Sequence, residues 1–261
     1  MVYGIDKFRE AFGAFADNYV IIGGTACDIL LDGSMMRPRA TDDIDMIIVV
    51  ERMTSEFVDA FWSFIRNGNY HNGKRKRGED KEPAYEMFRF TDPETDYPVQ
   101  IELLARHSDL LGEPSGFHIE PLSTEEEQYS LSAIMMDDDF YQLTLNNSEV
   151  IGGLRVANAF ALIGLKARAF LNLMAERDKG RQVNTRDILK HRNDVLKLAA
   201  IVNTDVQVAV PQSIIDTLND YTAHIRSIHP SQSLRAAIGV GDEEIESLIE
   251  VLENIYTLAE Q

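Results

Sequence analysis

Hydrophobic positions along this chain change their period partway through. In the first half, short apolar strands alternate with aromatic helices. Phe8, Phe12 and Phe15 recur at helical spacing between Ile5 and Ala16, predicting an opening amphipathic helix. The apolar run Tyr19 to Ile22 predicts a strand that ends in Gly23-Gly24, and Thr25 to Leu31 predicts a helix closing near Gly33. A second apolar strand spans Ile44 to Val50, and Thr54 to Arg66 is helical with Phe57, Phe61, Phe64 and Ile65 on one side. Ala84 to Phe90 and Tyr97 to Leu104 predict two strands joined by the turn-rich Thr91-Asp92-Pro93-Glu94-Thr95-Asp96. Tyr129 to Met136 and Phe140 to Leu145 predict a further hairpin around Asp137-Asp138-Asp139. From Val156 onward strand signals give way to long helical patterns, at Ala157 to Glu176, Thr185 to Val202, Pro211 to Ile228 and Asp242 to Leu258. The shift in texture places a domain boundary within Ile151 to Arg155, dividing the chain into an α/β (α+β) region, 1–152, and a helical region, 153–261.

Chemistry enters at the start of the second strand. Asp43 and Asp45 stand at i, i+2, so in an extended chain both carboxylates face one way while Ile44 and Met46 face the other. Two adjacent anions repel unless a cation lies between them, and hard oxygen donors at this spacing suit Mg²⁺. The Gly23-Gly24 pair closing the preceding strand lets backbone approach a phosphate at a helix start. Glu102 adds a third acid: it shares a strand face with Gln100 and Leu104, while Val99, Ile101 and Leu103 form the apolar face. A Glu in the middle of such a strand is either exposed on an open face or costly to bury unless paired or metal-bound. Together these residues indicate metal-assisted phosphoryl chemistry. No Gly-x-x-x-x-Gly-Lys-Ser/Thr occurs, so the phosphate site is not of the Walker type, and His107 and His118 lack the spacing of a zinc site.

Composition narrows the partners. The 261 residues carry a formal net charge of −18, which argues against wrapping a large nucleic-acid surface and favours a cationic acceptor. Lys74-Arg75-Lys76-Arg77 is the one dense basic run, either a solvated loop or a place to hold a nucleic-acid backbone. A single cysteine, Cys27, excludes an intrachain disulfide framework and fits a reducing cytoplasm; the residue itself suits packing better than nucleophilic attack. No stretch has the apolar length of a membrane span, and the N-terminus lacks a signal-peptide pattern. The expectation is a cytoplasmic protein.

The ordered combination of strand, Gly-Gly, helix, Arg39-x-Thr41-x-Asp43-Ile44-Asp45 and a later acid resembles the nucleotidyltransferase superfamily with a polymerase-β-like catalytic core, over roughly the first 105 residues. The resemblance implies a mixed sheet followed by an α-helical domain. It also implies transfer of a nucleoside monophosphate from a nucleoside triphosphate to an acceptor hydroxyl, with release of pyrophosphate. By the same match Gly23, Gly24 and Thr25 would hold the triphosphate, assisted by Arg39 and Thr41. Asp43 and Asp45 would bind two Mg²⁺ ions, and Glu102 would complete the second metal site and help deprotonate the acceptor. The superfamily often has Asp at that third position.

Within the superfamily the chain is most similar to the AbiEii group, toxins of type IV toxin–antitoxin systems and their relatives. That group carries a Lys on the first long helix of the second domain and a charged Lys/Asp motif on a later helix. Lys166 matches the first; Lys190 and Asp194 match the second, on one face of a helix, although the group often has Asp where His191 stands. Lys166 has Leu162, Ile163, Ala169 and Phe170 as helical neighbours, so it either snorkels to solvent or reaches the nucleotide phosphates. Asp187, by contrast, is explained by a first-turn position behind an Asn184 cap. The acceptor would be tRNA, with a cognate antitoxin as a further partner, or a small molecule as in the antibiotic nucleotidyltransferases. A non-catalytic nucleotide-binding module is the remaining alternative, and the intact acid triad speaks against it.

Overall fold

The computed structural model describes residues 2–34, 41–72, 86–105, 137–228 and 232–259, which form two compact units. One takes residues 2–29, 41–72, 86–105 and 148–157, the other residues 30–34, 137–147, 158–228 and 232–259.

The aromatic periodicity of the first unit builds its core. Helix α1 (Ile5–Phe12), continued by a 3-10 turn over Gly13–Phe15, buries Ile5, Phe8 and Phe12. Helix α3 (Ser55–Asn67) starts at Thr54, whose hydroxyl accepts the Phe57 backbone N–H at 3.2 Å, and buries Phe57, Phe61, Trp62, Phe64 and Ile65. Rings from both helices meet Tyr19 of strand β1 (Tyr19–Ile22), with Phe8–Phe12 centroids 4.5 Å apart and Phe8–Tyr19 edge-on at 5.8 Å. Fully burying each such side chain contributes roughly 1.5–3 kcal/mol, so this cluster covers and anchors one face of the sheet. Burial also pushes the Tyr19 phenol well above its usual pKa, while Arg155 opposes that shift.

The sheet is mixed. Its order is β3 (His71–Asn72), β4 (Glu86–Thr91), β5 (Gln100–Ala105), β2 (Asp43–Ile48), β1, β7 (Leu154–Ala157) and β6 (Ser148–Ile151). Strands β2 and β5 run parallel, as do β1 and β7; the other neighbours are antiparallel. Parallel pairing places Ile44 opposite Ile101 and Met46 opposite Leu103, and all four are buried toward the aromatic layer. Val99, expected on that apolar side, instead precedes the strand and is exposed.

Three expectations about elements are corrected. Phe140 to Leu145 is not a strand but part of helix α4 (Asp138–Asn146): the Asp137 carboxylate accepts the Asp139 N–H at 2.9 Å, and Asp138 and Asp139 occupy the first turn, where acids suit the helix dipole. The proposed partner, Tyr129 to Met136, lies outside the described residues. The expected boundary at Ile151 to Arg155 falls inside the β6–β7 hairpin. Gly152 and Gly153 have φ of 56° and 84°, the backbone that a two-residue hairpin turn demands. Finally, the last helix, α9 (Asp242–Asn254), stops early. Tyr256–Leu258 is strand β9, pairing in parallel with β8 (Val208–Val210), so strands do occur in the second half.

The second unit is otherwise helical: α4, α5 (Ala159–Asp178), α6 (Thr185–Ala199), α7 (Gln212–Ser227), α8 (Gln232–Ile238) and α9. Helix α5 is buried nearly all round over Phe160 to Phe170, which makes it the central helix. Its Asn158 cap accepts from Ala161 N, and the Tyr256 hydroxyl donates to the Phe160 carbonyl. Among the described residues no helix is long and apolar enough to cross a membrane.

Candidate active site

Strand β1 ends at Ile22, and helix α2 (Gly23–Leu31) begins at the next residue, earlier than the expected Thr25. Gly23 makes this possible with φ at 71°. A Cβ at Gly23 would lie 1.9 Å from Oδ2 of Asp45, so any side chain there would displace the carboxylate. The antiparallel pairing of Ile22 with Asp45 is what brings the glycine turn against that acid. Gly24 and Thr25 are buried in the first turn of α2, and the Thr25 hydroxyl donates to the Asp43 carbonyl, tying the helix start to the start of β2.

Asp43 and Asp45 share the face of β2 opposite the buried Ile44 and Met46, and both are half-buried. The parallel register sets Gln100 beside Asp43 and Glu102 beside Asp45. The antiparallel register then sets Arg89 of β4 beside Glu102. A row therefore crosses the sheet at one level: Ile22, Asp45, Glu102, Arg89. The Arg89 guanidinium donates from Nε and Nη2 to Glu102 Oε1, both at 2.7 Å, and Gln100 Nε2 donates to the same oxygen at 2.8 Å.

Arg89 was not foreseen from sequence, although a signal existed. It stands between Phe88 and Phe90, both buried, so strand alternation turns it to the acid-bearing face. The turn between β4 and β5 pairs Thr91 with Gln100, which counts out Arg89 against Glu102.

The other expected residues are placed as follows. Thr41 is half-buried two residues before β2. Arg39 lies outside the described residues, as do Lys74 to Arg77, His107 and His118. Lys166 and Asp194 meet each other rather than solvent: Nζ of α5 and Oδ2 of α6 are 2.8 Å apart, with the side chains only 1% and 9% exposed. Snorkelling is thus excluded. Lys190 is half-buried one turn before Asp194. Beside the pair, the Tyr221 hydroxyl donates to the Arg192 carbonyl at 2.6 Å, and burial, opposed by Arg192 and reinforced by Asp194, pushes that phenol well up. Asn184 does cap α6, accepting the Arg186 N–H at 2.9 Å, and Asp187 lies in its first turn. Cys27 is buried.

For a divalent metal, the donor types of Asp43 and Asp45 and the backbone cradle at Gly23 fit. Glu102 is a hard donor of the same type, and Arg89 and Gln100 hold it through Oε1. Among the described residues no group of three or more His, Cys, Asp or Glu side chains is gathered so that it could hold a metal ion. Comparison with known proteins gives no match to a family model, a curated protein or a solved structure.

Proposed function

We propose that this chain is a Mg²⁺-dependent nucleotidyltransferase that moves a nucleoside monophosphate from a nucleoside triphosphate onto an acceptor hydroxyl. The observation that carries the reading is the level row of Asp45 and Glu102 beside a glycine turn that only a residue without Cβ can make, with Asp43 on the same face. Carboxylates of two adjacent strands facing a helix start combine cation donors with phosphate-binding N–H groups, and phosphoryl transfer needs both. A divalent ion held by Asp43 and Asp45 would neutralise charge developing on the transferring phosphoryl oxygens. The first turn of α2, at Gly23, Gly24 and Thr25, offers its N–H groups to the triphosphate. The acceptor oxygen bonds to the α-phosphorus, the bond from that phosphorus to the bridging oxygen breaks, and pyrophosphate leaves. The hydroxyl proton passes to a carboxylate of the row.

The resemblance to AbiEii-type toxins supports tRNA as acceptor, with a cognate antitoxin as partner. The net charge of −18 supports a cationic small molecule of the antibiotic class instead. Incubating the full chain with Mg²⁺ and each labelled triphosphate, with total tRNA in one arm and aminoglycosides in another, tests the reading. Transfer in either arm that vanishes in Asp43→Asn, with melting unchanged, is expected. No transfer in any arm, together with no rise in melting temperature on adding triphosphate, would refute it.

A further inference from the structure

The bond from Thr25 to strand β2 gives that threonine's side chain a task other than phosphate contact. We propose that Thr25 is a positioning residue of this site: its hydroxyl holds the Asp43 peptide, sets the direction of the Asp43 carboxylate, and does not itself contact the triphosphate. The inference rests on the nucleotidyltransferase reading and names what keeps one metal donor in place.

Three observations carry it. First, the Thr25 hydroxyl donates to the Asp43 carbonyl, and Thr25 is fully buried. A threonine hydroxyl has one proton, and its lone pairs can only accept. An ionised phosphate oxygen is an acceptor too, so this hydroxyl cannot serve Asp43 and a triphosphate at once. Second, the ladder between β1 and β2 runs from Tyr19 opposite Ile48 to Ile22 opposite Asp45. It stops there because the chain turns into α2 at Gly23, and Asp43 lies two residues past that end. β5 still flanks Asp43 through Gln100. Where β1 has stopped, the Thr25 hydroxyl supplies a bond from the chain that continues it. Third, one short turn meets both acids of β2: Gly23 lies against the Asp45 carboxylate, and Thr25 bonds the Asp43 carbonyl.

The lever is the backbone. A peptide unit is planar, so fixing the Asp43 carbonyl fixes the plane that follows its Cα and leaves the strand start little freedom to swing. The acid side chain leaves from that Cα, on the face opposite the buried Ile44. A bond of this kind to a metal-ligating residue acts on affinity without touching the ion.

Mn²⁺ titration of the full chain tests this, with free Mn²⁺ read by electron paramagnetic resonance in the presence of a non-hydrolysable nucleoside triphosphate analogue. Thr25→Val keeps the branched shape, removes the hydroxyl, and should weaken Mn²⁺ by about tenfold or more. Thr25→Ser keeps the hydroxyl and should stay within about threefold of the parent. In an Asp43→Asn background, which takes away the donor being positioned, Thr25→Val should cost no more than about twofold further. Thr25→Ala, read against Thr25→Ser in the same way, serves if the Val variant does not fold. An unchanged Mn²⁺ affinity in Thr25→Val, or an equal loss in Thr25→Ser, would overturn the proposal. So would a loss that persists undiminished in the Asp43→Asn background, the signature of a hydroxyl that contacts phosphate directly. Each of these outcomes leaves the nucleotidyltransferase reading standing. A wild-type chain that binds neither Mn²⁺ nor the analogue removes that reading, and the proposal with it.

Discussion

The Lys166–Asp194 and Arg89–Glu102 pairs look alike on paper, and their surroundings make them different objects. Lys166 and Asp194 are 1% and 9% exposed and lie between helices α5 and α6; Arg89 and Glu102, on the adjacent strands β4 and β5, are 30% and 18% exposed. A sealed pair has already lost its hydration, so each ion depends on the other. A half-exposed pair keeps water as an alternative partner and gains little stability from its contact. Burial therefore makes the first pair a tie between helices, and leaves the second with water as a competing partner.

The largest effect should come from breaking the sealed pair. Lys166→Met leaves Asp194 charged and enclosed, and should cost about 3–5 kcal/mol in chemical denaturation. The double variant Lys166→Met with Asp194→Leu should recover most of that loss, because the enclosed carboxylate is removed together with the lysine. Arg89→Gln in the same assay should cost about 1 kcal/mol or less. Equal losses at both sites would erase the distinction drawn from burial. Next in size is Gly23→Ala. The left-handed backbone and the collision with the Asp45 carboxylate should cost about 1–3 kcal/mol and weaken Mn²⁺ binding together. A loss of stability without a loss of metal binding would separate the turn from the acid.

The smallest effect concerns His224 of α7, whose ring packs 5.1 Å from Phe170. Its pKa is held below the usual imidazole value, chiefly by burial and then by Arg192 and Arg177, with Asp178 opposing. The unfolded chain thus takes up a proton more readily than the folded one as pH falls below about 6.5. Stability present above that pH is lost as the ring is forced to charge. Melting between about pH 7.5 and 5.5 should fall less steeply in His224→Gln than in the parent; parallel slopes would count against it.

What sequence alone made legible follows from the range of each signal. Alternation along a strand is local, so Asp43 and Asp45 on one face and Ile44 and Met46 on the other could be read directly. Aromatic spacing announced α1 and α3 for the same reason. Register between strands is not local. That Glu102 would sit beside Asp45, and that Arg89 would reach Glu102 before any other partner could, depends on which strands pair and where the turn ends. The Asp137-Asp138-Asp139 run misled because acids serve turns and helix starts equally well, and the buried Phe140, Tyr141, Leu143 and Thr144 decide for the helix. Strands of three residues, β8 and β9, are too short to display a period at all. Lys166 and Asp194 lie 28 positions apart on different helices, and the spacing within either helix cannot show that the two side chains meet.

The pairing of Ile21 with Val156 has a consequence for how the protein can be made and cut. The first sheet unit is not contiguous: β7 joins it only after more than half of the chain has been synthesised. Until then β1, which ends at the glycine turn, is an edge strand whose amides face a missing neighbour, open to pairing with a foreign strand. A fragment ending before Ser148 would carry all three acids and still lack that flank. Such a truncation is expected to aggregate, whereas a cut after Ala157 retains every strand of this sheet.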